Sequence, residues 1–339
     1  MSQLPSGDTI EQAVRLAGRA PSLHNSQPWR WVFDGDALHL FSVPSRMLPA
    51  TDQSGRQMLI SCGLALGHLR AALAAAGWQT QVTYFPNPNR HDQPATVTFE
   101  PSRIVTDADR DRTAAITVRY TDRLPFAAPA DWREFEPVLP VIVDPLDAVI
   151  TVLPPEARTE LARASRLTAA IRRYDSGYQA ELQWWTGHSL PAEGIPPTAR
   201  VSAEERERVD LSRVFPAVGD EPRRADVQDD ESVVLVVSSG STSADLVRCG
   251  EALSTILLEC TVAGYATCPI THVTEVPQSR AVIRELTGRV EQPQVLVRVG
   301  TVPASDRQPT HTPRLPLEQI LEVTAPATPG GPAPSGHLR

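Results

Sequence analysis

The sequence RAPSLHNSQPWRW, residues 19–31, follows a short segment with helical apolar spacing at residues 9–16 and leads into a strand-like run. It turns at Pro21 and Pro28 and places Ser, Asn and Gln side chains beside two tryptophans. Because proline ends helices and favours turns, one interpretation is a helix terminus followed by an edge strand. The other is a turn that holds a planar polar molecule, since it brings polar side chains next to aromatic rings.

The elements predicted around this stretch are strands and helices in mixed order, which indicates an α+β fold. Strands are predicted at residues 29–33, 37–41, 81–85, 96–100, 148–153, 233–237 and 293–300, and helices at residues 55–76, 106–120, 156–185 and 245–263. The Asp-Gly pair at residues 34–35 favours a hairpin between the first two strands. Helix 55–76 is apolar on more than one face, which predicts a central, buried helix.

An internal repeat relates two parts of the chain. CGLAL at residues 62–66 recurs as CGEAL at residues 249–253, and the Ala-Gly pair at 76–77 recurs at 263–264, always 187 positions later. Seven of the nineteen residues from 62 to 80 are identical to their counterparts without a gap, where chance gives about one. The alternative is two unrelated alanine-rich helices that both end in glycine. The repeat predicts two copies of one α+β unit, fused head to tail.

These units define the predicted domains. The first half spans residues 1–103 and the second spans 104–323, while the Pro-, Gly- and Ala-rich residues 324–339 are expected to be a disordered tail. Within the second half, residues 187–230 are rich in Pro, Glu, Arg and Asp and show no sustained apolar period. A connection of this length is usually a functional loop or disordered. We interpret it as a lid-like insertion or an excursion over the surface.

Composition excludes several function classes. The chain of 339 residues has a net charge of −8, which argues against nucleic-acid or anionic-membrane partners. All 32 basic residues are arginine, so a lysine Schiff base is excluded and any phosphate site depends on arginine side chains. The sequence also has no dinucleotide-binding glycine motif, no Walker-type loop, no Cys/His ligand cluster and no serine-hydrolase elbow.

The cysteines and the N-terminal residues bear on the cellular compartment in which the protein is expected. Cys62, Cys249, Cys260 and Cys268 form no Cys-x-x-Cys pair and lie mostly in apolar helical patterns, so buried thiols are predicted in preference to a disulfide or a metal site. Residues 1–10 show no basic region followed by an apolar run, and the apolar segment 64–78 is judged too short to span a bilayer. A soluble, cytoplasmic protein is expected, either monomeric or weakly homo-oligomeric.

The opening stretch resembles the flavin-contacting motif of the nitroreductase family, whose members hold FMN at a subunit interface. The matching pattern is Ala-Pro-Ser-x-x-Asn-x-Gln-Pro-Trp at residues 20–29. The resemblance implies a nitroreductase-like fold, with FMN contacts from Pro21, Ser22, Leu23 and Asn25. Family subunits intertwine so that both contact each FMN. The two fused halves are therefore expected to form an intramolecular pseudo-dimer that builds this pocket internally.

A second element of this resemblance lies in the other half. Arg119-x-Thr121-x-Arg123 is similar to the family's Arg-x-Ser-x-Arg element near the FMN phosphate and ring edge. Two arginines one residue apart, on a segment that leaves a helix, can direct planar donor groups at one phosphate. The resemblance implies cofactor contacts from Arg119, Tyr120, Thr121 and Arg123, and a third phosphate ligand in Arg314. The alternative for residues 119–123 is a solvated Arg/Asp patch.

Residues 264–272 resemble the family segment in which a proline-containing loop presents backbone groups to the redox-active edge of the flavin. The implied contacts are Pro269, Ile270, Thr271 and His272. Family members usually have glycine or Glu-Gly at the last three positions, so this sequence differs where substrate reaches the ring. His272 is either a proton donor to the reduced substrate or a structural residue. No catalytic residue is assigned.

The combination of motif, fused second half and insertion is most similar to the Acg-like branch of the family. The resemblance implies an FMN oxidoreductase that takes electrons from NADH or NADPH and passes them to a quinone, a nitro compound or another small acceptor. The first alternative is an FMN-binding or FMN-sequestering protein with little turnover, in which residues 187–230 close the pocket. The second is a cofactor-free interaction protein.

Overall fold

The protein is described here from a computed structural model, which covers residues 3–187, 192–216, 223–224, 227, 229–303 and 312–324. The strands are β1 Trp29–Phe33, β2 Leu38–Ser42, β3 Trp78–Tyr84, β4 Ala95–Pro101, β5 Val149–Leu153, β6 Val233–Ser239, β7 Ala266–Ile270, β8 Gln292–Gly300 and β9 Leu321–Val323. The helices are α1 Gly7–Ala17, α2 Arg56–Ala75, α3 Asp107–Val118, α4 Trp132–Phe135, α5 Leu139–Ile142, α6 Arg158–Arg172, α7 Ser176–Gly187, α8 Ala203–Glu207, α9 Ser243–Val262, α10 His272–Glu275, α11 Pro277–Thr287 and α12 Leu317–Ile320.

The strands form two sheets. The first has the order β3-β4-β2-β1-β9 and the second the order β5-β6-β8-β7. Paired strands are antiparallel except β1 and β9, which run parallel. The predicted β1–β2 hairpin is confirmed, and the Asp34 carboxylate accepts hydrogen bonds from the backbone N–H groups of Asp36 and Ala37 in its turn. Through β9, residues 321–323 join the sheet of the predicted first half, while the domain boundaries stay predictions.

Helices α2 and α9 form the centre of the molecule and pack directly against each other. Both have 20 residues, and both ends of α9 lie 187 positions after those of α2, which is the spacing of the sequence repeat. A Cβ on Gly63 would lie 2.0 Å from the Val247 carbonyl oxygen, and one on Gly250 would lie 2.2 Å from the Ile60 carbonyl oxygen. Each half of the repeat therefore makes the same backbone contact with the other.

The predicted burial of the central helix is confirmed, because twelve of the 20 residues of α2 are buried. This helix is also long and apolar enough to span a membrane by length and composition alone, so the sequence-based length argument was wrong. A buried core helix of a soluble protein passes the same test. The four cysteines are all buried and unpaired, as predicted.

Two sequence-based predictions need correction. The helix expected at residues 156–185 is two helices, α6 and α7, because the chain turns at Arg173–Asp175. The segment expected to be a proline-containing loop is largely strand β7, which lies at the edge of the second sheet. Proline lacks an N–H and is tolerated in edge strands, so Pro269 does not break the strand. Of the predicted disordered tail, all but Thr324 lies outside the described residues.

Candidate functional site

The stretch between α1 and β1 has an unusual backbone. His24, Asn25 and Gln27 have φ angles of 50°, 61° and 47°, in the left-handed region that side chains with a Cβ rarely adopt. Each such residue costs on the order of 1 kcal/mol and persists only where the surrounding structure imposes it. Backbone strain of this kind concentrates at ligand sites, so residues 22–27 are a candidate ligand-binding segment.

Distant segments hold this turn in place. The Gln27 backbone N–H donates to Ser22 Oγ at 2.9 Å, and its side-chain amide donates to the Ala192 carbonyl at 2.8 Å. The Leu315 N–H donates to Gln27 Oε1 at 2.9 Å, and Asn25 Nδ2 donates to the Pro313 carbonyl at 3.0 Å. The turn is therefore fixed by both the insertion and the segment before α12.

Beside the turn lies an anion pocket of about 560 Å³, including space open to solvent. It is lined by the arginines Arg19, Arg119, Arg123 and Arg314 and by no acidic residue among the described parts of the chain. Arg119 is 5% exposed, and its Nε and Nη1 have no hydrogen-bond partner among the described residues. A buried cation without a partner is costly. The pocket is therefore suited to an anionic group.

The electrostatics of these arginines agree with this assignment. Burial lowers the pKa of Arg119 to about 10, and the nearby charge of Arg19 adds to the effect. Burial, with repulsion from Arg119 and Arg19, lowers the pKa of Arg314 to about 9. Both groups stay charged at neutral pH, but they repel each other. A phosphate group would relieve this repulsion and satisfy the free N–H donors.

Next to the anion pocket is a larger cavity of about 940 Å³, including space open to solvent, which we call the ring cavity. Residues 21–24 line one side, Gln57, Ile60, Ser61 and Leu64 from α2 line another, and residues 268–272 form the end near β7. Its size suits a small organic ligand. The two cavities share Pro21, Ser22, Thr121 and Arg123, so together they form one elongated site with a cationic end and a largely apolar body.

The insertion contributes one wall of the ring cavity through Val201, Leu211, Ser212, Arg213 and Phe215. Arg213 forms a buried ion pair with Glu275 of α10. Its Nη1 donates to Tyr178 Oη at 2.7 Å, and Gln57 Nε2 donates to Glu275 Oε1 at 3.1 Å. Breaking a buried ion pair is costly because it leaves an uncompensated charge. The insertion is thus firmly attached over the cavity.

Two groups in the ring cavity are chemically inert at neutral pH. His272 Nε2 lies 2.8 Å from Ser165 Oγ, and burial, with the charge of Arg213, lowers the pKa of His272 to about 3. The histidine is therefore neutral and is not poised as an acid. Burial also raises the pKa of the Cys268 thiol, so this cysteine is no thiolate nucleophile. Among the described residues there is no cluster of three or more metal-ligating side chains.

"Putative NAD(P)H nitroreductase acg" of Mycobacterium tuberculosis is 48% identical over 319 residues, which cover 94% of this chain and 96% of the relative. The chain belongs to the nitroreductase family. It also matches an uncharacterized protein of the same organism, Rv3127, at 50% identity over 93% of both chains, and "Putative NAD(P)H nitroreductase Rv3131" at 33% identity over 95% of this chain and 93% of the relative.

Solved structures of nitroreductases are more distant. The FMN-dependent nitroreductase NfnB from Mycobacterium smegmatis, in complex with NADPH, matches with a TM-score of 0.40 and 14% identity over 63% of this chain and 97% of its own. A structure described as "a putative nitroreductase" from Anabaena variabilis matches with a TM-score of 0.48 and 9% identity over 87% of this chain and 73% of its own. No family model matches the chain. The family assignment rests on the sequence relatives, and it confirms the predicted nitroreductase-like fold and the Acg-like resemblance.

In this nitroreductase-family protein, the predicted site residues all lie along the elongated site. The anion pocket contains Pro21, Ser22, Asn25, Arg119, Tyr120, Thr121, Arg123 and Arg314. The ring cavity contains Pro21, Ser22, Leu23, Thr121, Arg123, Pro269, Ile270, Thr271 and His272. The structure thus brings together residues 21–25, 119–123 and 269–272 and Arg314, which are four segments far apart in the sequence. Their contacts with a cofactor remain predictions.

Sequence reasoning missed several residues of the same site. His24 lines the ring cavity, is 6% exposed and has no hydrogen-bond partner for either ring nitrogen among the described residues. Burial, and then the charges of Arg213 and Arg123, hold the pKa of His24 well below its usual value, so it is neutral. Arg19, Arg213 and Phe215 were missed as well. Gln57 was detectable in principle, because a buried polar residue in an apolar helix often faces a ligand.

Proposed function

We propose that this protein is an FMN-binding oxidoreductase that takes electrons from NADH or NADPH and reduces small quinone or nitro acceptors. The observation that carries the proposal is the set of four arginines at one end of a cavity of ligand size, where none of the described lining residues is acidic. FMN has this shape, with a phosphate at one end and a planar ring system at the other. Related proteins named as NAD(P)H nitroreductases support the same assignment.

The residues present fit FMN. The phosphate carries a charge near −2 at neutral pH, and the unpartnered donors of Arg119 and Arg314 can compensate it. Arg123 lies between the two cavities and would reach either the phosphate or the ring edge. The ring cavity is mainly apolar, with Gln57, Ser61 and Thr271 as polar groups that can orient a ring.

When bound, FMN would supply the hydride and electron transfer chemistry, and the chain would supply position and environment. In this proposal Arg119, Arg123 and Arg314 hold the phosphate, while residues 269–272 contact the ring. The insertion excludes water from the cavity through Phe215 and Leu211. His272 is neutral and already paired with Ser165, so we assign it a structural role. The physiological acceptor stays open.

We further propose that the site belongs to an intramolecular pseudo-dimer. The strained turn comes from the predicted first half, and Arg119 and Arg123 come from the predicted second half. The equivalent contacts of Gly63 and Gly250 across α2 and α9 support this arrangement, because they are self-complementary like those of a two-fold dimer. A monomer in solution then carries a complete site, and a cytoplasmic location remains our expectation.

Binding and reduction test the proposal separately. Titration of the ligand-free protein with FMN and with riboflavin, followed by flavin fluorescence, measures how much the phosphate contributes. We expect FMN to bind at least tenfold more tightly than riboflavin, because only FMN reaches the anion pocket. Anaerobic NADH or NADPH should then bleach the flavin absorbance. Equal affinity for the two flavins would contradict the assigned phosphate pocket, and no bleaching by either donor would contradict the reductase activity.

The covering insertion favours a second function, an FMN-binding protein with little turnover. Val201, Leu211 and Phe215 of the insertion line the cavity where a donor or acceptor would approach, and the Arg213–Glu275 pair secures them. In this case the flavin binds normally but reacts slowly. The double substitution Leu211→Ala and Phe215→Ala should then accelerate bleaching by NAD(P)H while the protein still binds FMN. Unchanged bleaching rates in this double variant would argue against this function.

A further inference from the structure

Besides the anion pocket and the ring cavity, a further cavity lies on the outer side of the wall that closes the ring cavity. This outer cavity measures about 990 Å³, including space open to solvent, and is lined mainly by α6, the start of α7 and residues 212–214. Ser212, Arg213 and His272 line both cavities. A ligand in the outer cavity would therefore be separated from the ring cavity only by these side chains.

The outer cavity is cationic. Arg172, Arg173 and Arg213 line it, and none of the described residues that line it is acidic. Asp175 and Glu275 pair with Arg172 and Arg213 from outside the lining. Arg173 forms no ion pair within the described residues, and Arg172 Nε is buried there without a hydrogen-bond partner. The cavity therefore favours an anion of low charge.

One face of the outer cavity is apolar. The buried Tyr178 ring is already covered by guanidinium groups, with Arg172 4.7 Å and Arg213 5.9 Å from its centroid. Ala169, Ala170 and Val214 provide the apolar surface beside it. A flat ring can pack on this surface while a carboxylate reaches the guanidinium groups. A purely inorganic anion would leave this apolar surface unused.

We propose that the outer cavity is a binding site for a small aromatic anion, held by Arg172 and Arg173 with its ring against the apolar surface of Ala169, Ala170 and Val214. The binding itself does not require a flavin. The further role, a docking subsite for an acceptor next to the ring cavity, rests on the proposed function. Because the ring cavity would be filled by the flavin, an acceptor needs a place of this kind close to it. The site selects acceptors that carry a carboxylate or a similar group.

Two probes of nearly equal shape test the charge preference. Calorimetry with flavin-saturated protein should detect binding of 4-nitrobenzoate and at least tenfold weaker binding of 4-nitrobenzamide, which is uncharged. Arg173→Ala and Arg172→Met should each weaken 4-nitrobenzoate binding about tenfold, equivalent to about 1.4 kcal/mol. Both variants should bind 4-nitrobenzamide within twofold of the unmodified protein. Arg166→Ala is the matched control, since this exposed arginine on α6 does not line the cavity.

A filling variant tests the location. Ala170 is exposed and lines the outer cavity, so Ala170→Trp should weaken binding of both probes without changing FMN affinity. Equal affinity for the two probes, or full 4-nitrobenzoate binding by both arginine variants, would overturn the proposal. Competition between 4-nitrobenzoate and FMN would also overturn it, because the probe would then occupy the ring cavity. A failure of FMN to bind at all would refute the proposed function, while binding of the probes could still be measured.

Discussion

The two long helices at the centre of the protein are alike, whereas the ligand site beside them is built from segments that differ from each other. Helices α2 and α9 keep equal length, the same spacing and equivalent glycine contacts. The site, by contrast, takes its strained turn from the predicted first half and its paired arginines from the predicted second half. No second Gln-Pro-Trp sequence occurs in the chain. Close backbone packing requires glycine at both equivalent positions of the centre, whereas the site contains each of its segments only once.

The glycines of the central contact provide the largest expected effect. Gly63→Ala and Gly250→Ala would each force a methyl group into a backbone carbonyl on the other helix. We expect each to lower the free energy of unfolding by about 3 kcal/mol, measured by urea denaturation. Gly7→Ala is the control, since a Cβ there meets nothing within 4 Å. A large cost for one central glycine and none for the other would break the equivalence of the two helices.

A substitution in the anion pocket should have the opposite effect, because FMN binding should weaken while the free energy of unfolding is preserved. Arg119→Ala should weaken FMN binding by about 1.5–3 kcal/mol, the usual value of hydrogen bonds to charged groups. Riboflavin binding should stay unchanged. The control is Arg103→Ala, which removes the same charge at an exposed position and should change the binding of neither flavin. Since Arg119 is a buried cation with no carboxylate partner among the described residues, its removal should not destabilise the ligand-free protein. Unchanged FMN affinity would place the phosphate elsewhere.

The lowered pKa of Arg314 predicts a pH effect of about tenfold. In the ligand-free protein this arginine loses its proton as the pH rises through about 9, so FMN affinity should fall above that value. The folded-state pKa is below the unfolded one, so the same titration makes the ligand-free protein more stable with rising pH, not less. Fluorescence titrations between pH 7.5 and 10 measure the affinity, with riboflavin as the control for titration of the ring. A fall of equal size in Arg314→Gln would contradict this assignment.

The smallest effect concerns the strained turn. Asparagine tolerates the left-handed region, whereas β-branched residues do not. His24→Asn should therefore change the free energy of unfolding by less than about 1 kcal/mol, and His24→Val should cost at least about 1 kcal/mol more. Thermal denaturation of both variants under the same conditions distinguishes them. Equal stability of the two would show that the turn relaxes readily and that residues 24–27 are not held under strain.

Much of the fold was predictable because its signals are local or repeated. The hairpin followed from Asp34-Gly35, and the central helices followed from their composition and terminal glycines. The break at residues 173–175 was missed, because its residues carry neither proline nor glycine. Strand β7 was mistaken for a loop because the family resemblance implied a proline-containing loop at residues 264–272. The place of β7 at the sheet edge permits Pro269 within the strand.

The candidate site was predicted in part. The motif and its resemblance located residues 21–25, 119–123 and 269–272, all of which line the two adjoining cavities. The contributions of Arg213 and Phe215 were missed, because nothing in the insertion's composition indicates which of its side chains face inward. Arg19 was missed because its neighbours in space, Arg119 and Arg314, are far away in the chain.

The sequence by itself determined the family, the two-fold repeat and the reliance on arginine for any anion site, since these follow from residue identity and spacing. The tertiary structure decided that Arg119 and Arg314 share one pocket in which no described lining residue is acidic, that His24 and His272 are neutral, and that the insertion forms a wall secured by Arg213 and Glu275. The reason is physical. Charge, burial and strain depend on which groups meet in space, and that is fixed only when distant segments pack together.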